Sequence, residues 1–221
     1  MKSRLTRQLI CLRAARELKD GEYVNVGIGV PAQISCFIPP EIEVVLEVEN
    51  GALNHGPIID DWDKYDVDLI NAGGQPISMK PGISFFDVAD SFAMIRGGHL
   101  DTTIMGAYQV SERGDLANWK TPEQSIGAIG GGMDLVFGAK RVIVLMEHTD
   151  RSGRPKVVKE CSYPLTARGV VDLIITDMAV IGAIPEGLEL REVAPGITPE
   201  EIQAVTEPKL IISKQLKEIE F

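Results

Sequence analysis

The fold class is decided by the stretch YVNVGIGVP, at residues 23–31. Its first half has the apolar alternation of a strand, the glycines that follow favour a turn, and Pro31 is a favoured first residue of a helix. A second stretch, IEVVLEVEN at residues 42–50, is rich in β-branched residues and ends in an Asn-Gly turn signal. Glu49 is therefore predicted at the carboxyl end of a strand, the edge at which open α/β sheets hold their ligands.

The same order of strand, glycines and helix recurs along the chain. Further strands are predicted at residues 67–74, 102–110, 141–147, 171–177 and 188–193, with helices ending at Gly21, at residues 86–95 and from Thr198 onwards. This pattern predicts an open α/β fold whose largely parallel sheet is layered with helices, with several late strands pairing antiparallel. Because 221 residues suit one sizeable α/β core, we expect residues 1–221 to form a single domain.

Composition excludes several classes of function. A net charge of -10 argues against nucleic-acid binding, which needs a basic surface to neutralise phosphates. No apolar run approaches the roughly 20 residues of a membrane-spanning helix, and leucines at helical spacing near the N-terminus predict a docked helix rather than a signal peptide. The three cysteines and three histidines lack metal-ligand spacing. We therefore expect a cytoplasmic protein with no bound metal and no membrane or nucleic-acid partner.

Three short motifs are candidates for a site. The cluster GIGVP lacks the third glycine of a dinucleotide fingerprint, so it indicates either a tight turn or a helix start whose amides contact a ligand. The sequence Glu49-Asn50-Gly51 is either a solvated strand end or a presented carboxylate. The three glycines at 130–132 allow close approach of a ligand to the backbone, although loops also use glycine for steric reasons alone.

A series of ordered blocks resembles the family I coenzyme A transferases. The blocks are VNVGIGVP, VENGALNHGP, LINAGGQP, SFAMIRGGH, GAYQVSERGDLANW, GGGMDLV, VLMEH and CSYPLTARGVVDLIITDMAV, and they extend from about Asp20 to about Val205. More narrowly, the chain is similar to the B subunit of 3-oxoacid CoA-transferases. The resemblance implies the open α/β layer of sugar-phosphate isomerase-like proteins, an A subunit as partner in a hetero-oligomer, and coenzyme A as a substrate, with no permanently bound cofactor.

The resemblance also implies a reaction and a set of site residues. The enzyme would move CoA between small carboxylic acids, such as acetoacetate or 3-oxoadipate with succinate or acetate, by a ping-pong mechanism through a glutamyl-CoA thioester on Glu49. The Gly131 amide would stabilise the oxyanion of each addition. The residues assigned to substrate or CoA binding are Gly27, Gly29, Asn50, Gly51, Ser91, Gly130 and Gly132, among which Asn50 would fix the turn that presents the nucleophile.

Two positions depart from the family pattern. Val48 replaces a frequent serine and Glu47 a frequent glutamine, so Glu47, on the same strand face as Glu49, is expected to raise the pKa of Glu49 and is itself an alternative nucleophile. Nearby, Asn54 and His55 replace smaller or apolar residues, and His55 either contacts an acyl group or is an exposed loop histidine. Two rival functions are a CoA-thioester hydrolase, if water reaches the intermediate, and a non-catalytic ligand-sensing module.

Overall fold

The computed structural model describes residues 4–61, 63 and 66–221. The helices in this part of the chain are α1 (Arg7–Ala15), α2 (Val88–Arg96), α3 (Gly132–Gly138) and α4 (Pro199–Gln203), with a 3₁₀ helix at Pro31–Cys36. The strands are β1 (Tyr23–Val26), β2 (Val45–Val48), β3 (Ala52–Leu53), β4 (Ser84–Phe85), β5 (Thr102–Gly106), β6 (Gln109–Ser111), β7 (Leu116–Ala117), β8 (Arg141–Met146), β9 (Val157–Val158), β10 (Leu173–Thr176), β11 (Ala179–Ile184), β12 (Gly187–Val193) and β13 (Ile211–Glu218).

Ten of these strands form one mixed sheet, in the order β13-β12-β11-β10-β8-β5-β1-β2-β3-β4. Its five central strands, from β10 to β2, are all parallel, and their apolar side chains are buried except for Tyr23 and the half-buried Val45. At one end β11 and β12 pair antiparallel, and at the other β3 and β4 do the same. The predicted open, largely parallel α/β sheet is thus confirmed, including its antiparallel late strands. The carboxyl ends of β2, β1, β5 and β8 lie side by side along one edge.

One predicted strand divides into two. Residues 102–110 were expected to form a single strand, but β5 ends at Gly106 and β6 belongs to a separate three-stranded sheet, in the order β7-β6-β9. The chain leaves the main sheet between them, where the Tyr108 N–H donates to the Ala117 carbonyl at 2.9 Å. This departure opens a gap beyond the end of β5.

The prediction of a strand at residues 67–74 is wrong. This segment has only an isolated bridge between Ile70 and Pro76. The carboxamide oxygen of Asn71 accepts hydrogen bonds from the N–H groups of Gly73 and Gln75, at 2.9 and 3.0 Å. Asparagine competes in this way with a strand ladder, and the result is a turn.

The first two predicted helices differ in extent or type. Helix α1 is capped by Thr6, whose hydroxyl accepts from the Leu9 N–H, but it ends at Ala15, well before Gly21, because the following N–H groups bond three residues back. The helix begun by Pro31 is a six-residue 3₁₀ helix, a form limited to short runs. Each of these helices is too short to cross a bilayer, as are all the others in the described residues.

A buried ion-pair cluster joins α1 to strands β12 and β8 of the sheet. Arg13, only 8% exposed, contacts Glu192 of β12 at 2.6 Å and Glu17 at 2.9 Å. The Glu17 carboxylate also pairs with Arg141 at the start of β8. Because unpaired buried charges are costly, this cluster fixes the position of α1 against the sheet.

His148 follows β8 and is fully buried. Its two ring nitrogens hydrogen-bond Thr176 of β10 and Thr206 after α4, each at 2.9 Å. Burial, helped by the charges of Arg4 and Lys156, lowers the pKa of His148 to about 4. The neutral imidazole therefore joins the sheet to the C-terminal segment.

We expect this histidine to make stability depend on pH. The unfolded chain, with an ordinary histidine pKa near 6.5, binds a proton that the folded chain excludes until about pH 4. The contribution of neutral His148 to the free energy of unfolding is therefore complete above pH 6.5. It is lost as the pH falls towards 4, and the total loss is about 3 kcal/mol. Denaturant unfolding between pH 4.5 and 7 should show a smaller slope of stability against pH in His148→Gln, whereas exposed His99→Gln should match the wild type. Equal slopes in all three proteins would contradict this role.

Candidate active site

Glu49 is the first residue after β2, at the edge where the parallel strands end. The turn that follows depends on Gly51, whose φ is +115° and whose N–H donates to the Val48 carbonyl at 2.9 Å. A Cβ on Gly51 would lie 2.1 Å from the Phe86 carbonyl oxygen, so a side chain is excluded on steric grounds as well. The exposed Asn50 donates from its amide to the Ile70 carbonyl at 3.0 Å. Both residues hold the turn that presents Glu49.

The glycine loop before α3 lies directly against the Glu49 carboxylate. A Cβ on Gly131 would lie 2.5 Å from Glu49 Oε2, and one on Gly130 would lie 3.8 Å from Oε1. Gly131 is the N-cap of α3, and among the described residues its N–H donates to no carbonyl or side chain. A free backbone donor therefore lies beside the carboxylate.

The Glu49 carboxylate itself accepts no hydrogen bond and forms no ion pair within the described residues. Burial raises its pKa, and the negative charge of Asp134 adds to this effect. Asp134 is held by Arg96 at 2.7 Å. The pKa of Glu49 is therefore raised, as expected from the sequence. The causes are burial and Asp134, however, and not Glu47 as the sequence suggested.

Glu47 occupies a closed pocket beneath Glu49. Its side chain is 1% exposed, and its oxygens accept hydrogen bonds from Asn25 at 2.7 Å and from Ser91 at 2.8 Å. Thr103 in turn donates to Asn25 at 3.1 Å. Burial raises the pKa of Glu47, and the charge of Glu49 contributes further. A carboxylate enclosed in this way has no access to a ligand, which leaves Glu49 as the candidate nucleophile.

A cavity of about 490 Å³ runs along the carboxyl ends of the parallel strands. Five predicted residues line it, namely Gly27, Glu49, Gly130, Gly131 and Gly132. Four others lie outside its lining: Gly29, Asn50, Gly51 and Ser91. The fully buried Ser91 supports Glu47 instead, so we assign it no contact with a substrate.

The cluster GIGVP is a tight turn after β1. The Gly27 N–H donates to the Ile104 carbonyl at 2.8 Å, and a Cβ at this position would lie 3.0 Å from the same oxygen. Gly29 has a φ of +88° with open space around it. The Gly27 amide is thus occupied by β5, and Gly29 serves the turn that leads into the 3₁₀ helix.

His55 is neither an exposed loop residue nor part of the cavity lining. It is 3% exposed, and its Nδ1 hydrogen-bonds the Gly56 carbonyl at 2.7 Å. Burial lowers the pKa of His55, so the neutral form is favoured. Both interpretations drawn from the sequence are therefore corrected: His55 is a buried residue beside the turn.

Much of the cavity wall was not predicted from the sequence. Residues 105–108 line it because the chain leaves the sheet between β5 and β6. Asn118, Arg7, Glu147 and Lys156 join it from separate elements, and only the tertiary fold brings them together. In the described part of the chain, no group of three or more His, Cys, Asp or Glu side chains is arranged to hold a metal ion.

Solved structures share this fold. An acyl-CoA transferase apoenzyme from Escherichia coli O157:H7 superposes with a TM-score of 0.77 at 23% identity, covering 98% of this chain and 43% of that one. Glutaconate coenzyme A-transferase from Acidaminococcus fermentans superposes with a TM-score of 0.72 at 15% identity, covering 98% of this chain and 89% of that one. The chain thus has the α/β fold that these transferases share.

Sequence comparison gives the family. Residues 10–204 match the profile of the Coenzyme A transferase family, and the chain belongs to that family. It is 46% identical over 210 residues to the B subunit of a probable succinyl-CoA:3-ketoacid coenzyme A transferase of Bacillus subtilis, covering 95% of this chain and 97% of that protein. It is 44% identical over 213 residues to the B subunit of the 3-oxoadipate CoA-transferase of Acinetobacter baylyi, covering 96% and 98%.

Proposed function

We propose that this chain is the B subunit of a CoA-transferase that moves CoA between small carboxylic acids, including a 3-oxo acid, through a thioester on Glu49. The observation that carries this proposal is the Glu49 carboxylate, which lies in the cavity without a partner among the described residues and beside the free Gly131 amide. The family and the names of its members support the reaction and the substrate class.

The reaction begins when a Glu49 oxygen attacks the thioester carbonyl of an acyl-CoA. The carbon–sulfur bond breaks, CoA leaves as a thiolate, and the acyl group forms a mixed anhydride with Glu49. The thiolate then attacks the Glu49 carbonyl carbon, which releases the first acid as a carboxylate and leaves a glutamyl-CoA thioester. A second carboxylate reverses both steps and leaves with CoA. Carboxylates are established nucleophiles in covalent catalysis.

Each addition places negative charge on a carbonyl oxygen, and Gly131 is positioned to stabilise it. Loss of one such donor typically costs about 3 to 4 kcal/mol of barrier. The raised pKa of Glu49 makes its carboxylate more basic than an exposed glutamate, which favours attack. The backbones of Gly27, Gly130 and Gly132 form part of the cavity wall. Asn50 and Gly51 hold the turn that presents Glu49. CoA enters as a substrate, and the mechanism uses no permanent cofactor.

The working enzyme pairs this chain with an A-type subunit, as the designation of its relatives as B subunits implies. We propose that residues 1–221 form one domain of that cytoplasmic assembly, and that acyl-CoA and small carboxylates are its ligands. A hydrolase would form the same intermediate and discharge it to water, whereas a ligand-sensing module would form none. The fate of the intermediate separates these functions.

We expect acyl-CoA to leave a covalent CoA adduct on Glu49 in the complex with the A-type subunit. Borohydride reduction should trap the thioester, and peptide mass spectrometry should locate it. Cys11 and Cys161 are poor alternative nucleophiles, because burial raises the pKa of each thiol to about 12. Acceptor acid added before the trap should discharge the adduct, and the isolated chain should form none.

Three outcomes would contradict this mechanism. An adduct on a cysteine would replace the nucleophile. Absence of any adduct, together with intersecting rather than parallel kinetic lines, would indicate a single displacement. Discharge at the same rate with and without an acceptor acid would indicate a hydrolase.

A further inference from the structure

Lys156 lines the Glu49 cavity from the opposite side. Its backbone is fixed on both sides, since its N–H donates to the His148 carbonyl at 3.0 Å and its carbonyl accepts from Val110 at 2.9 Å. The side chain is half-buried, and within the described residues no carboxylate lies at ion-pair distance from its ammonium. The proposed transfer reaction gives this ammonium no role.

The charges around Lys156 leave one positive charge available at this end. Glu147 also lines the cavity but pairs with Arg7 at 2.9 Å. Burial lowers the pKa of Lys156, while the charges of Glu147, Asp177 and Asp150 oppose that shift. A half-buried ammonium with no bonded partner in the described residues is a ready site for an anion.

The wall between the two ends is largely apolar. Glu49 follows β2, whereas Lys156 hydrogen-bonds the residue two positions after β8, and β1 and β5 lie between these strands. Three strand spacings separate β2 from β8 by about 14 Å. The strand register places Glu49 level with Val144, and His148 lies four residues further on, about 13 Å along the strand direction. The backbones of the two ends are therefore about 19 Å apart, a separation that the glutamate and lysine side chains shorten. The lining between them includes Val26, Met105, Ala107, Leu135 and Leu145. The cavity therefore presents a carboxylate, an apolar channel and an ammonium.

We propose that Lys156 binds the distal carboxylate of a dicarboxylic substrate whose other carboxyl group reacts at Glu49. This assignment rests on the proposed transferase function and adds to it a residue that distinguishes dicarboxylic from monocarboxylic exchange partners. The acyl chain lies along the apolar wall, and the ion pair at its far end sets the position of the reacting carbonyl. Lys156 is thus a specificity-determining residue.

A phosphate of CoA is the other anion that this ammonium could meet. The carboxylate fits the charge better, because Arg7, Glu147 and Lys156 together carry a single net positive charge. The pyrophosphate of CoA carries more than one negative charge and calls for several donors. The two sources also predict different kinetics, since a phosphate contact affects every thioester equally.

The test compares acids that differ only in the distal group, such as succinate and butyrate, as CoA acceptors for the complex of this chain with its A-type subunit. Lys156→Met should lower kcat/KM for the dicarboxylate about 10- to 100-fold, mainly through KM, and should change the monocarboxylate less than about threefold. Lys156→Arg should restore much of the preference. Lys159→Met, which removes an exposed lysine outside the cavity lining, is the matched control.

Two results would overturn the assignment. One is a wild-type complex with no preference for any dicarboxylate over its monocarboxylate counterpart among acids of four to six carbons. The other is an equal loss for both acids in Lys156→Met, and a rise in the KM of acyl-CoA would then assign the lysine to a CoA phosphate. In both cases the wild-type complex still transfers CoA to monocarboxylates, so failure of this proposal is distinct from failure of the proposed function.

Discussion

Glu49→Gln should abolish CoA exchange in the complex with the A-type subunit, by about 10⁴-fold or more, while leaving the fold intact. A carboxamide has the size of the carboxylate but cannot form the anhydride or the thioester. Loss of the fold is not expected, because the Glu49 side chain makes no hydrogen bond or ion pair within the described residues. Exchange kinetics with trapping of the adduct measure the chemistry, and circular dichroism with thermal unfolding checks the structure.

Glu47→Gln is the matched control, two residues away on the same strand. The amide oxygen can still accept from Asn25, and the Ser91 hydroxyl can reverse its role and accept from the new amide group. The variant should keep exchange within about tenfold of the wild type, because Glu47 is enclosed away from the cavity and is not a cause of the raised pKa of Glu49. An active Glu49→Gln would remove Glu49 as the nucleophile, and an inactive Glu47→Gln alongside it would assign that role to Glu47.

The central sheet was predictable from local sequence. Buried parallel strands favour runs of β-branched and apolar residues, and β8 and β10 carry such runs on both faces. Strands β1 and β2 carry them on one face and each has a polar residue, Asn25 or Glu47, on the other. The glycines that follow β1 and β2 marked the edge where the cavity lies. The position of Glu49 therefore followed from the pattern at 42–50, and the family resemblance supplied its chemical role.

Elements that depend on tertiary contacts were not predicted. Helix α3 has glycine at both ends and only seven residues, so packing against α2 rather than helix propensity stabilises it. Strand β13 is largely exposed and carries three charged residues among its eight, so it lacks the apolar signal of a strand. The break after Gly106 was hidden because residues 102–110 form one largely apolar run.

The surroundings of the nucleophile were only partly predictable. Strand periodicity places Glu47 and Glu49 on one face, but it does not reveal that Asn25 and Ser91 enclose Glu47. Asp134, which raises the pKa of Glu49, lies 85 residues along the chain. The sequence around Lys156 likewise gives no sign that this lysine lines the cavity, because only the tertiary fold brings it there.

Gly131→Ala should lower exchange by about 100-fold or more without loss of folding, because displacement of about 1 Å at a reacting group has an effect of this size. Gly131 has a φ of −80°, which alanine adopts freely, so backbone strain is not the cause. The added methyl group would instead lie 2.5 Å from Glu49 Oε2 and 2.7 Å from Phe92 Cζ. It must push the carboxylate away from the amide that stabilises the oxyanion.

Two further variants identify the contact responsible for this loss. In Gly132→Ala the new Cβ meets no atom closer than 3.6 Å, at Thr166 Cγ2, so this neighbouring change should lose far less activity. In Gly131→Ala combined with Phe92→Ala the ring contact is relieved, whereas the contact with Glu49 remains, and activity should stay low. Rapid-quench measurement of adduct formation is the direct readout, because it reports the attack by Glu49 before the acceptor acid binds. Full recovery in the double variant would assign the effect to the Phe92 ring, and a Gly131→Ala enzyme within about threefold of the wild type would remove the Gly131 amide from the oxyanion site.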